Sequence, residues 1–305
     1  MAYDIDNKLV IAIASSALFD LKESDEIFKT EGLEKYKEYQ EENIDKKLEK
    51  GVAFPFIERL LSLNTLSPSQ PLIEVILLSR NSIETGLRVF RSIDKYGLDI
   101  SRAAFFSGRS PYKYIPAFNA SIFLSANEED VRAALSEGYP AGRVLGSTTI
   151  EEKQEDEFRI AFDFDGVIAS DEAEKIYKEK GIDEYHQNER EHANEPLELG
   201  PVGGLLKKIS NIQKLERKLV LGDNNYKPKL RTSIVTARNA PAHERVITTL
   251  KEWGIEVDEA FFMGGIEKKK VLDIMKPHIF FDDQETHLKG LTNVPSVHIP
   301  FGVAN

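Results

Sequence analysis

Arg159-Ile160-Ala161-Phe162-Asp163-Phe164-Asp165-Gly166-Val167 is the stretch whose reading decides the fold. A short apolar run ends in two carboxylates one residue apart, and glycine follows at once. The run predicts a buried strand, and the glycine a sharp turn at its end. In an open α/β sheet, ligands bind beyond the carboxyl ends of the strands, where Asp163 and Asp165 fall. Strand alternation puts both on one side of the chain unless the turn redirects the second. Carboxylates this close repel unless a cation or a proton stands between them. The pair therefore predicts a Mg2+ site, a nucleophile with an acid/base partner, or both. The plain alternative is a solvated Asp-x-Asp turn.

The rest of the chain bounds the choice. Its 305 residues suggest two domains, and 41% hydrophobic residues suffice for a sizeable core. A net charge of −11 argues against a nucleic-acid partner. Handling an anionic phosphate then needs a local positive site, a metal or a Lys/Arg cluster. With no cysteine there is no disulfide and no thiol chemistry. Met1-Ala2-Tyr3-Asp4-Ile5-Asp6 has no basic region ahead of its apolar segment, and no apolar run approaches the ~20 residues of a membrane span. The expectation is a cytoplasmic protein without membrane contact.

In order, strands are expected at Leu9–Ala14, Leu72–Leu78, Ala103–Phe106 and Ala120–Leu124. Helices are expected at Phe54–Leu63, Glu84–Tyr96 and Glu128–Glu137, and the charge run Glu41–Lys50 reads as a solvated helix face. Gly146–Glu157 reads as a linker. The second half repeats this plan. Ile27-Phe28-Lys29-Thr30-Glu31-Gly32-Leu33 matches Ile176-Tyr177-Lys178-Glu179-Lys180-Gly181-Ile182. Leu77-Leu78-Ser79-Arg80-Asn81 matches Val235-Thr236-Ala237-Arg238-Asn239, and Phe105-Phe106-Ser107-Gly108 matches Phe261-Phe262-Met263-Gly264. Tyr96-Gly97-Leu98 matches Trp253-Gly254-Ile255, and Ile122–Glu128 matches Ile279–Glu285. In this alignment Asp163 falls on Ala14, Asp165 on Ser16, Thr236 on Leu78, and Asp282 and Asp283 on Ser125 and Ala126. The first half keeps the elements and lacks the carboxylates, so the second half is the candidate catalytic half.

Four strand ends of the second half carry groups suited to one reaction: Asp163 and Asp165; Thr236-Ala237-Arg238; Gly264-Gly265 leading to Lys268-Lys269-Lys270; and Asp282-Asp283. Phosphoryl transfer to a carboxylate uses such a set. One Asp attacks phosphorus and a second moves the proton. A hydroxyl and an ammonium hold the non-bridging oxygens, and a hard cation offsets repulsion.

Asp163-Phe164-Asp165-Gly166, Thr236, Lys268 and Asp282-Asp283 resemble the four ordered motifs of the haloacid dehalogenase (HAD) superfamily. A narrower resemblance covers nearly the whole chain. Leu78-Ser79-Arg80-Asn81, Gly86-Leu87-Arg88, Tyr96-Gly97-Leu98 and Gly108-Arg109-Ser110-Pro111 are similar to the cytosolic 5′-nucleotidase type I family. So are Ala161–Val167, Asn194-Glu195-Pro196-Leu197, Val235-Thr236-Ala237-Arg238 and Pro277–Gln284. The resemblance implies a HAD-like doubly wound α/β fold and Mg2+-dependent hydrolysis of nucleoside 5′-monophosphates such as AMP or IMP. By the same resemblance Asp163 is the nucleophile, Asp165 the acid/base and a metal ligand through its carbonyl, and Thr236 the phosphate-binding hydroxyl. The phosphate lysine is one of Lys268, Lys269 and Lys270, with Lys268 chosen as nearest the turn after Gly264-Gly265. Asp282 is the metal-binding acid, and Asp283 a ligand through water or a supporting partner. The alternatives are a HAD phosphatase or phosphotransferase for another small phosphomonoester, and a nucleotide-binding module without catalysis.

The expected domains are 1–148, a degenerate HAD-like copy, and 149–305, the catalytic copy with a small helical cap at about 168–200. Within the cap, Glu189, Arg190, His192 and Asn194 are candidates to touch substrate or to sit on a solvated surface. Arg238 either binds phosphate or caps a helix, with Ala237 beside it. Lys214–Leu230 reads as an irregular surface insertion, and His278 as structural. The first half's strand-end loops, Arg80, Asn81, Ser107, Gly108, Arg109 and Ser110, are expected to contribute to nucleoside binding, since a packing wall had no need of so many polar groups. The partner is thus a small nucleotide, and a homo-oligomer is compatible with this reading.

Overall fold

The apolar runs Leu9–Ile13, Ile73–Ser79, Ile122–Ser125 and Ile279–Asp282 form strands buried along their length, as parallel strands covered on both faces must be. The edge strands Arg102–Phe105 and Glu259–Phe262 are mostly half-buried. The computed structural model describes residues 4–146 and 157–305. The chain divides into two compact units, Met1–Val144 and Leu145–Asn305. The boundary expected at 148/149, and most of the linker, lie outside the described residues.

The N-terminal unit runs β1 (Leu9–Ile13), α1 (Ser15–Leu18), β2 (Phe19–Asp20), α2 (Lys22–Glu31), α3 (Leu33–Glu42), β3 (Glu49–Lys50) and α4 (Phe54–Ser62). It continues through β4 (Ile73–Ser79), α5 (Ile83–Tyr96), β5 (Arg102–Phe105), β6 (Ile122–Ser125), α6 (Glu128–Ser136) and β7 (Ala141–Leu145). Five strands pair in parallel in the order β7-β6-β1-β4-β5, while β2 and β3 form a separate antiparallel pair. The core is Val10, Ala12, Ile76, Leu78 and Phe123 with Val131 and Ala134 of α6. The charge run Glu41–Lys50 is not one helix. It leaves α3 at Glu42 and ends in β3, because the Lys46 carbonyl is held by the Arg88 guanidinium at 3.0 Å, and the Leu48 amide donates to Ser92 Oγ at 3.0 Å.

The C-terminal unit runs β8 (Phe158–Phe162), α7 (Glu172–Lys180), α8 (Ile182–Glu191), α9 (Gly203–Gly222), β9 (Leu230–Thr236) and α10 (His243–Glu252). It closes with β10 (Glu259–Phe262), α11 (Lys268–Met275), β11 (Ile279–Asp282), α12 (Glu285–Leu288) and β12 (Ser296–His298). Its parallel order is β10-β9-β8-β11-β12. The segment expected to be an irregular insertion is mostly helix. α9 carries the chain to Gly222, since Leu205, Leu206, Ile209, Ile212, Gln213 and Glu216 fall on one buried face. Buried Glu216 accepts hydrogen bonds from the Tyr226 hydroxyl at 2.6 Å and the backbone amides of Lys229 at 2.7 Å and Leu230 at 3.1 Å. Among the described residues no helix is long and apolar enough to cross a membrane.

Strand order and pairing register are the same in both units. The pair Ile11↔Ile122 has its counterpart in Ile160↔Ile279, and Ile76↔Arg102 in Ser233↔Glu259. The helical hairpins correspond too, with hinge glycines Gly32 at φ 87, ψ −176 and Gly181 at φ 86, ψ −177. The register corrects the sequence alignment by one residue at two strands, β4 against β9 and β5 against β10, where Phe105 stands for Phe262 and not Phe261. Thr236 ends β9 as Ser79 ends β4, so Ser79, not Leu78, stands in its place, and Asn81 stands for Arg238. Backbone turns agree with this correction. Ser107 and Gly108 have φ 46 and 88, and Gly264 and Gly265 have φ 55 and 88.

Candidate active site

Parallel pairing puts the carboxyl ends of β8, β9, β10 and β11 along one edge of the C-terminal unit's sheet. Asp163 follows β8 directly, and its amide donates to the Phe281 carbonyl on β11 at 2.7 Å. That bond sets it level with Asp282. The chain then turns: the amides of Ile168 and Ala169 both donate to the Phe164 carbonyl. The two carboxylates of Asp-x-Asp therefore acquire different partners.

Asp163 faces an ammonium. Lys268 Nζ lies 2.8 Å from Asp163 Oδ2 and 2.7 Å from Asp282 Oδ2, all three side chains being buried. Neighbouring Lys269 instead pairs with Asp273 on the surface of α11. Burial pushes the Asp163 carboxyl up to about 7; Lys268 opposes the rise, and Asp282 adds to it. For Asp282 burial works in the same upward direction, but Lys268 and His287 outweigh it and hold the carboxyl below its ordinary range. Lys268 loses by burial and gains more from Asp163 and Asp282, so its ammonium is held above its ordinary range.

Asp165 faces a guanidinium. Arg238 Nε and Nη2 each donate to it at 2.7 Å, a bidentate fork. The remaining nitrogen of Arg238 binds Glu189 and the Ala242 carbonyl. Glu189, on α8 and fully buried, also accepts from Arg245 Nη1 at 3.0 Å, and Arg245 reaches Glu172 of α7 at 3.3 Å. An ion network thus ties the helical hairpin to β9 and α10. Burial works against the Arg238 charge, but Asp165 more than restores it. The Thr236 hydroxyl accepts the Arg238 amide at 3.2 Å, which leaves its proton free to donate.

Asp283 is different. It is buried, yet neither carboxylate oxygen has a hydrogen-bond partner. Burial, Asp163 and Asp282 together push it up to about 10. Gly166 explains the close fit: at φ 70 it takes a backbone shape that favours glycine, and a Cβ there would sit 2.7 Å from Asp283 Oδ2. Asp163, Asp282 and His287 also bring one ligand atom each within 4.8 Å of one another. The Asp282 oxygens, however, are already taken by Lys268, the Gln284 amide at 2.8 Å and His287 Nδ1 at 3.1 Å. The unspent oxygens of Asp283 therefore mark the cation position better than that triad does. An orphaned, buried, hard oxygen pair beside a second carboxylate suits Mg2+.

The other expected residues are placed apart from this cluster. Ala237, Arg190 and Asn194 are exposed, and His192 Nδ1 lies 2.9 Å from the Asn188 carbonyl. His278 Nδ1 accepts the Arg159 amide at 3.0 Å, a structural role. In the N-terminal unit, Arg80, Asn81, Ser107 and Gly108 line a cavity, while Arg109 is exposed and outside the lining. Arg80 is bidentate to Asp130 at 2.6 and 2.8 Å, and the Ser110 hydroxyl also binds Asp130. Sequence reading missed His287 and Arg245. The signal for His287 was its position on the short helix that follows the Asp-Asp pair.

The chain matches the 5′-nucleotidase family across residues 1–305. It is 35% identical to human cytosolic 5′-nucleotidase 1B over 297 residues, which is 95% of this chain and 48% of that protein. The chain thus spans about half the length of the curated relative it matches. With strand-end carboxylates, a buried lysine and a match along its whole length, the chain belongs to the 5′-nucleotidase family.

Proposed function

We propose that the C-terminal unit hydrolyses nucleoside 5′-monophosphates, such as AMP or IMP, to nucleoside and phosphate with Mg2+ in the site. The observation that carries this is the buried pair of unpartnered Asp283 oxygens beside the Asp163–Lys268–Asp282 cluster. An Asp163 oxygen attacks phosphorus as the P–O bond to the ribose breaks, giving an aspartyl-phosphate. Asp165 delivers a proton to the departing ribose oxygen, then takes one from the water that releases phosphate and regenerates Asp163. Asp165 must part from Arg238 to carry a proton, and an incoming phosphate competes for that guanidinium. Thr236 and Lys268 hold non-bridging oxygens. Asp163, the Asp165 carbonyl and Asp283 would hold Mg2+, which when bound offsets the charge gathered on carboxylates and phosphate. On this reading Asp282 anchors Lys268 rather than ligating the cation directly.

The matching strand order, register and hinge glycines support a further reading, that the two units are copies of one HAD-like unit. The enzyme reading is tested by phosphate release from a panel of purine and pyrimidine monophosphates with Mg2+. Transfer of the phosphoryl group to an added nucleoside, with no free phosphate, would identify a phosphotransferase instead.

Stability provides a second test. Asp163 is raised to about 7 and Asp283 to about 10, so across neutral pH the folded chain keeps protons that the unfolded chain has lost. Without a cation, the stability contributed by these two carboxyls should be fully present below the ordinary carboxylate range and fall as pH rises from 5 to 8. Asp283→Asn should flatten that fall in EDTA and blunt the rise in Tm that Mg2+ produces. Equal Mg2+ responses in both proteins would remove Asp283 from the ligand set.

A further inference from the structure

The N-terminal unit contains a cavity of about 890 Å³ at its own strand ends, lined only by residues between Ala14 and Asp130. Such a volume is that of a small-ligand site. Its floor is the counterpart of the catalytic floor without the acids: Ala14 stands for Asp163, Ser16 for Asp165, Ser125 for Asp282 and Ala126 for Asp283. The hydroxyl at the Thr236 position survives as Ser79, bonded to Ser15 Oγ at 2.8 Å and accepting the Asn81 amide at 3.1 Å. Three acids line the cavity: Asp130 is neutralised by the Arg80 fork, and Asp25 and Glu84 are exposed.

From this floor we infer that the cavity binds a nucleoside monophosphate without a cation and without hydrolysing it; the choice of ligand rests on the function proposed above. A catalytic floor of four carboxylates needs a cation before a phosphate can settle. A floor of serines and asparagines does not. Donors remain for an anion: Ser16 Oγ and the side-chain amides of Asn81 and Asn127 line the cavity, and none of these groups donates to another described residue. α5 and α6 present their N-caps, Ser82 and Asn127, to the same space. At the mouth Lys29 adds a cation, whose charge also acts on Asp25 one turn before it. Phe28 and Tyr36, with ring centroids 5.7 Å apart, offer apolar faces for a base. The cavity is far larger than phosphate alone requires, and these rings account for the extra room. Bond cleavage is absent because no carboxylate stands at the nucleophile position.

The test is equilibrium binding of AMP to the full chain in EDTA, by calorimetry, with wild type, Ser16→Asp, Lys29→Glu and Lys268→Met. Bound AMP in EDTA is expected, with Kd weakened at least tenfold by Ser16→Asp and severalfold by Lys29→Glu, and unaffected by Lys268→Met. Lys29→Glu is a surface change that guards against misfolding as the cause. Hydrolysis of p-nitrophenyl phosphate with Mg2+ should be unchanged in Ser16→Asp and Lys29→Glu. No binding in EDTA overturns the inference. So does binding that survives Ser16→Asp and disappears in Lys268→Met, since the ligand then sits on the catalytic floor. Hydrolysis intact with no EDTA-resistant binding defeats this inference alone. EDTA-resistant binding with no hydrolysis of any nucleotide defeats the proposed function alone.

Discussion

Asp163→Asn is expected to yield a folded chain that does not turn over nucleotide. The amide fills the same space but cannot form an acyl-phosphate at a useful rate, so kcat should drop on the order of 10⁴-fold or more. Stability should not follow activity down. In the wild type the Asp163 carboxyl is buried and pushed up to about 7, so its ionised form is costly to fold around. The amide removes that cost, and Lys268 keeps Asp282 at 2.7 Å as its counter-ion. In EDTA at pH 8 the variant should therefore melt no lower than wild type. Trapped phosphoenzyme should carry its label on Asp163 and none on Asp165. Activity within tenfold of wild type, or label on Asp165, would overturn the nucleophile assignment.

Glu189→Ala has the largest expected effect on stability. The side chain is fully buried and holds two guanidinium groups, Arg238 and Arg245. Its removal leaves both with less compensation in a site closed to water, a loss of ~3–5 kcal/mol in chemical denaturation. Glu189→Gln keeps a hydrogen-bond acceptor and should lose less. The effect should also reach Asp165, whose guanidinium partner is the one Glu189 steadies. A loss under ~1 kcal/mol for Glu189→Ala would mean that solvent reaches the network and that the hairpin is not tied down by it.

These two residues mark the limits of what the sequence discloses. Asp163 was legible because a parallel strand buried on both faces reads as one apolar run, so its end is visible and whatever follows stands out. Asp165, Thr236 and Asp282 stood out by the same means, each at or just beyond a strand end, while Lys268 was marked by its place after the Gly264-Gly265 turn. Glu189 was not legible. It lies in a helix as charged as any solvated one, and its burial depends on arginines 49 and 56 residues away. The division of labour within Asp282-Asp283 was likewise hidden, since only geometry shows one oxygen pair engaged and the other bare. The matching order of elements was legible, but the alignment slipped by one residue at two strands, β4 against β9 and β5 against β10. The shared Arg-Asn of Ser79-Arg80-Asn81 and Ala237-Arg238-Asn239 drew the alignment off by one residue. Such a slip exchanges the faces of a strand, and it turned a retained hydroxyl into an apparent leucine. β7 and β12 left no signal strong enough to mark, since β12 is three residues long and β7 contains glycine.

The acid-free floor of the N-terminal unit also restricts where this chain can go by mutation. Ala14 and Ser125 are buried, at 8% and 1% exposure, and Pro111 occupies the place that Lys268 holds in the other unit. A single aspartate at either position would be a lone buried charge with no ammonium to meet it, at a cost of several kcal/mol. A lone lysine at position 111 would be no better off. Each step toward a second working centre is thus a loss in itself, and gain arrives only when several changes stand together. The two halves of the molecule are held to different fates by electrostatics, with no one-substitution route from the silent floor to an active one.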